Sequence, residues 1–207
     1  MPLPFTPRGV IPAALTAFAE DFSVDRYWTA SHLRDLADVS GISALVLNGH
    51  AAEVHACTED EQRDLLDLGL EVVGDRVPVV AGIYADGSHQ AQRLARMAER
   101  AGASALLVFP PAPLTLGGHL RPEMLLRPFQ MIAEATALPI IFFEYPKTSG
   151  LYTPFATMLE LFEAVPSIVA IKDWCHDGRE HERNIRTLQG LKRPVQVLTT
   201  HSAWAMA

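Results

Sequence analysis

The chain has 207 residues, 49% hydrophobic and 20% charged, which suits one domain with a real core and excludes long disorder. Its net charge of -7, with no basic run, excludes a nucleic-acid footprint. Two cysteines outside any CxxC exclude a disulfide framework or zinc ribbon, the opening MPLPFTPRGV carries no apolar signal core, and no apolar run is long enough to span a membrane; a cytoplasmic setting is expected.

In chain order, the first apolar run is 9–16, ending on Thr16, and the second is 43–48, followed by Gly49, His50, Ala51 and Ala52. A helix is predicted over 58–73. Thr58 can cap it and Glu61 can reach back, a capping box, and Leu65, Leu68 and Val72 share one face. A strand at 77–83 runs into a turn where Gly82 and Gly87 are expected to relieve φ constraints. Residues 88–101 put Ala91, Leu94, Ala95 and Ala98 on one stripe, with Gly102 as the stop. A fourth strand follows at 104–109. The helical pattern over 119–136 contains Pro128, which is expected to kink it.

The fifth strand is 139–144. Thr153 then reads as an N-cap with Pro154 in the first turn, opening a helix that buries Met158, Leu161, Phe162 and Val165. Strands at 167–172 and 194–199 complete seven, and the final THSAWAMA sits where a seventh helix would begin. Near-continuous apolar strands alternating with helices predict an α/β fold with a parallel sheet. No GxGxxG follows the first strand, so the Rossmann form gives way to a (β/α)8 TIM barrel. Residues 1–207 would form that single domain without its eighth strand and C-terminal helices.

Functional groups of such a barrel gather at the C-terminal strand ends. Those ends carry Thr16, Asn48-Gly49-His50, Gly82, Phe109, Phe143-Glu144-Tyr145, Lys172 and Thr199-Thr200-His201. Lys172 closes the run SIVAIK and is the only lysine among them. Burial disfavours a charged ammonium, and a neutral amine attacks carbonyls to give a Schiff base. The alternative is an ion pair with Glu144, Asp173 or Glu53. His50 and His55, like His176 and His181, stand five apart instead of four, so no metal is expected, and no other cofactor is called for.

IPAALTAF followed by VD, LNGHAAEVHACTEDE, VVAGIYADGSHQAQRLARMAERAGASALLVFPP, PIIFFEYPKTSG and IVAIKDW occur in an order that resembles the dihydrodipicolinate synthase and N-acetylneuraminate lyase family. The resemblance implies a (β/α)8 barrel, a Schiff-base lysine at Lys172 and a homo-oligomer, dimer or tetramer. It also exposes departures. The family's hydroxyl pair aligns with His50 and Ala51, its fifth-strand tyrosine with Phe143, and its arginine after the proline with Thr148, beside which Lys147 stands as a substitute. Glu53 keeps the family's acidic position and is expected to brace the loop.

The expected function is a Schiff-base-forming lyase or aldolase acting on a small carbonyl compound, a 2-oxo acid or its aldol adduct. Lys172, Glu144 and Tyr145 are the candidate catalytic residues. Thr16, Gly49, His50, Ala51, Phe143 and Thr199 are the candidate substrate-binding residues. The alternatives are a catalytically degenerate paralogue that binds small molecules, and an enzyme using His50 and Glu144 without a covalent intermediate. Neither nucleic acid nor membrane is an expected partner.

Overall fold

The computed structural model describes residues 2–204. Its elements are α1 (Arg26–Asp38), β1 (Leu45–Leu47), α2 (Glu59–Val73), β2 (Val79–Ile83), α3 (Ser88–Ala101), β3 (Ala105–Val108), α4 (Pro122–Ala133), β4 (Ile140–Glu144), α5 (Phe155–Ala164), β5 (Ile168–Asp173), α6 (Gly178–Gln189) and β6 (Gln196–Thr199). Strands alternate with helices and pair in parallel, the pattern of a (β/α)8 barrel, with six strands among the described residues. No helix among the described residues is long and apolar enough to cross a membrane.

The chain divides into two compact units, Met1–Tyr84 with Arg93–Leu107, and Ala85–Gln92 with Val108–Ala207. In the first, β1 pairs in parallel with β2, Leu45 opposite Val79 and Leu47 opposite Ala81. Every residue of both strands is buried, which is why they read as unbroken aliphatic runs. Helix α2 begins as expected: the Thr58 hydroxyl accepts from Glu61 N–H, and the Glu61 carboxylate accepts from Thr58 N–H at 2.8 Å. It buries Leu65, Leu68 and Val73, whereas Val72 is only half-buried. Gly102, at φ 102°, provides the left-handed residue that ends α3.

Three expectations change here. The run 9–16 is no regular strand. Val10 and Ala13 make isolated parallel bridges to Ile42 and Val46, and Ala14 N–H donates to Val46 O. Pro12 has no N–H for a ladder and Gly9 sits at φ 76°, so regular pairing cannot propagate. Gly82 is not in the left-handed region; a Cβ there would lie 1.9 Å from the Asn48 carbonyl oxygen, so close backbone approach demands glycine. Gly87 likewise shows no positive φ. Gly82→Ala is expected to destabilise the protein by about 3 kcal/mol or more, read as a fall in denaturation midpoint without a change in slope.

In the second unit, β4 pairs in parallel with β5 and β5 with β6. Helix α4 continues through Pro128. Helix α5 starts one residue later than expected. Pro154 occupies its N-cap and the Thr153 side chain makes no cap bond; Thr153 N–H goes to Glu144 instead. The helix buries Met158, Leu161 and Phe162 as its pattern requires, with Val165 buried at its C-cap. After β6 a single short turn covers Ser202–Trp204, and the rest of the expected seventh helix start, 205–207, lies outside the described residues.

Candidate functional site

Register decides which side chains of the second unit share a face. Phe143 stands opposite Lys172 and Lys172 opposite Leu198, while Glu144 stands opposite Asp173 and Asp173 opposite Thr199. Side chains alternate along a strand, so these are two opposed sets. The ladder continues past the strand ends, with Trp174 N–H donating to Glu144 O and Thr200 N–H to Asp173 O, both at 3.1 Å. Tyr145, Trp174 and Thr200 therefore join the face of Phe143 and Lys172.

On that face Lys172 is half-buried, and burial holds its pKa below the usual lysine value of 10.5. Among the described residues of this unit no carboxylate pairs with it, so the expected alternatives Glu144 and Asp173 do not engage it. Its Nζ lies 5.4 Å from the centroid of the Phe143 ring. Phe143 packs against Phe109 at 4.9 Å and Tyr145 at 4.6 Å, and Trp174 closes the group at 6.1 Å from Phe143 and 6.4 Å from Tyr145. The Thr200 hydroxyl is buried and has no hydrogen-bond partner among the described residues. Thr200 was not among the expected binding residues; its neighbour Thr199 was. Thr199 lies on the opposite face, where its hydroxyl accepts from His201 N–H at 3.0 Å.

Glu144, expected to act beside Lys172, belongs to the opposite face as well. It is 1% exposed, accepts from Thr153 N–H through Oε1 at 3.1 Å, and leaves Oε2 without a partner. Burial raises its pKa well above the usual carboxyl value, with the Asp173 and Glu180 charges adding to the effect. It is a carboxyl in the core of the unit whose charged form burial disfavours. An acid whose folded pKa is raised costs stability as pH rises from the unfolded value towards the folded one. Glu144→Gln is therefore expected to be neutral below pH 4.5 and stabilising above it, on the order of 1 kcal/mol, when melting is followed from pH 4 to 8.

Asp173 anchors this opposite face. It is fully buried and accepts from Cys175 N–H at 3.0 Å, His181 Nδ1–H at 2.8 Å and Asn184 Nδ2 at 3.0 Å. Burial pushes its pKa up, but the bonds from Asn184, His181 and Cys175 outweigh this and hold it below the usual carboxylate range. Asp173, Cys175 and His181 bring three ligand-type atoms within 4.8 Å of one another, a grouping that histidine spacing could not reveal because two members come from the end of β5. Each is already engaged. Asp173 accepts three bonds, His181 uses Nδ1 on it, and the Cys175 thiol, pushed up to about 12 by burial and by Asp173, contacts the Asp177 carbonyl at 3.5 Å. The trio is a hydrogen-bonded brace that ties the strand end to α6.

Lys147, the candidate replacement for the aligned arginine, is committed to Glu180 at 2.9 Å, and Glu180 also takes Arg183 at 3.2 Å. Thr148 is exposed.

The first unit carries Thr16, Gly49, His50 and Ala51. Thr16 is half-buried, Gly49 precedes a short turn over His50–Ala52, and Ala51 is exposed. The His50 ring meets Tyr84 edge-on at 5.6 Å, and His55 meets the same ring at 6.5 Å. Glu53 is exposed at φ 53° and ties the loop through its backbone, its N–H donating to His50 O at 3.0 Å and its carbonyl accepting from Ala56 N–H at 2.8 Å, but its side chain does not do the bracing. That work falls to Asn48, whose Nδ2 donates to Gln62 O at 2.8 Å, and to Gln62, whose Nε2 donates to Cys57 O at 3.1 Å.

The chain is 36% identical over 174 residues to a 4-hydroxy-tetrahydrodipicolinate synthase of Acidothermus cellulolyticus, covering 83% of this chain and 53% of that protein. It is 34% identical over 169 residues to the enzyme of the same name from Agrobacterium fabrum, covering 80% of this chain and 55% of that one. The chain thus spans about half the length of the curated relatives it matches. A prophage protein of the dihydrodipicolinic acid synthase family from E. coli K12, solved in complex with pyruvate, superposes with a TM-score of 0.83 at 25% identity, over 92% of this chain and 62% of that one. The Dihydrodipicolinate synthetase family matches residues 6–192, and the chain belongs to it.

Proposed function

We propose that the protein is a Schiff-base-forming lyase or aldolase of the dihydrodipicolinate synthase type, with a 2-oxo acid or its aldol adduct as substrate. The observation that carries this is the state of Lys172: half-buried at a strand end, lowered in pKa by burial, and with no carboxylate partner among the described residues of its unit. Its Nζ attacks the substrate carbonyl carbon. The carbonyl oxygen leaves as water, and the iminium accepts the electron pair of the neighbouring C–C bond as it breaks. Tyr145 and Thr200 supply the hydroxyls on this face, standing in for the one that Phe143 lacks. Glu144, on the opposite face, accepts from Thr153 N–H and takes no part in the bond changes. A cytoplasmic homo-oligomer is the matching setting.

Incubation with pyruvate and borohydride, followed by peptide mass spectrometry, tests the proposal. Pyruvate is the first probe because the E. coli relative was solved with it. A reduced adduct on Lys172 is expected; none with any of several 2-oxo acids would defeat the reading. A second reading, a binding protein without turnover, is favoured by Phe143 alone. Ligand stabilisation that survives Lys172→Ala, with no adduct in the parent protein, would select it.

A further inference from the structure

We propose that the rings beside Lys172 form a subsite for an aromatic group carried by the carbonyl substrate. This rests on the reading of Lys172 as the Schiff-base former. Phe109, Phe143 and Tyr145 are 3%, 4% and 6% exposed and form a dry backing, while Trp174 is 37% exposed and is the ring a ligand can reach. Trp174 follows Lys172 by two positions on a ladder that its own N–H continues, so indole and amine share a face. A large apolar ring, part-exposed at the mouth of a strand end, is costly in water and gains by stacking.

The polar inventory points the same way. The position aligned with the family arginine is an exposed threonine, Thr148, and its cationic neighbour Lys147 is tied to Glu180. A substrate bearing a second carboxylate would find neither available. The position aligned with the family tyrosine is Phe143, whose ring lies 5.4 Å from the amine. Replacing a hydroxyl by an apolar edge disfavours a polar substrate arm and favours a flat apolar one. Aromatic contacts add to what the buried area contributes, so contact with Trp174 and its neighbours corresponds to roughly tenfold selectivity or more.

The test sets 4-phenyl-2-oxobutanoate against 2-oxobutanoate, which differ only in the aryl arm. In competitive borohydride trapping, Nζ adds to the keto carbon, the keto oxygen leaves as water, and hydride reduces the C=N bond, so each bound acid leaves a stable amine of distinct mass. The phenyl adduct on Lys172 is expected to exceed the other by about tenfold. Trp174→Leu should bring the ratio within about threefold of one and Trp174→Phe should restore it, since leucine keeps apolar bulk without a ring. Calorimetric binding of the same two acids to the Lys172→Ala protein should show the same preference without covalent chemistry. Equal labelling and equal affinity, or a preference unmoved by Trp174→Leu, would overturn the subsite. Phenyl preference in binding with no adduct from either acid would instead overturn the Schiff-base reading and leave the subsite standing.

Discussion

Lys172→Ala is expected to abolish reductive trapping with pyruvate, lowering adduct formation by a factor of about 1,000 or more. The chain has lysines at 147, 172 and 192, and their surroundings differ in ways that make the assignment sharp. Lys147 is held above the usual value by its bond to Glu180 and stays charged. Lys192 is exposed. Lys172 is shifted down by burial. The neutral amine is the nucleophile, so the trapping rate should climb with pH and level off below 10.5, the value an unperturbed lysine would give. A plateau at or above that value would mean a solvated, ordinary amine. Peptide mapping that finds the adduct on Lys147 or Lys192 would move the chemistry elsewhere.

Asp173→Ala is expected to destabilise the protein by about 3 kcal/mol or more, because it strands the His181 and Asn184 donors in the core. For a chain of this size that is a fall in melting temperature of about 6–12 °C. Asp173→Asn, which keeps the shape and one acceptor, should cost less. The folded pKa of Asp173 is depressed, so its contribution is fully present above the unfolded value of about 3.9 and is lost as pH falls through the folded value. The difference between parent and Asp173→Ala should accordingly shrink below pH 4, as chemical denaturation at pH 3 and pH 7 would show. Glu144 moves in the opposite sense, so Glu144→Gln gains where the Asp173 contribution is intact. Two adjacent carboxyls with opposed shifts are the electrostatic signature of this face.

Much of this was legible in the residues. Helix α2 announced itself through Thr58 and Glu61, since a capping box is a local bond that needs no tertiary partner. Strands β1 to β3 showed as near-continuous apolar runs, because a strand covered on both faces has no polar side to alternate with. The segment 9–16 misled for the converse reason. Its side chains are apolar enough for a strand, but Pro12 and Gly9 interrupt the backbone ladder, and hydropathy does not register a missing donor. Thr153 misled because a threonine before proline looks like a cap in isolation, whereas its N–H is taken by a carboxyl nine residues back.

Sequence by itself determined the parallel α/β pattern, the family and the prominence of Lys172, because these follow from local periodicity and from the order of short motifs. Only the tertiary structure decided the company that lysine keeps. Strand register puts Tyr145, Trp174 and Thr200 with Lys172 and turns Glu144 and Thr199 to the other side, and a one-residue difference in register would reverse both assignments. Burial then sets the protonation of each group, since the energy of a charge depends on which atoms replace its water, and those atoms come from segments far apart in the chain.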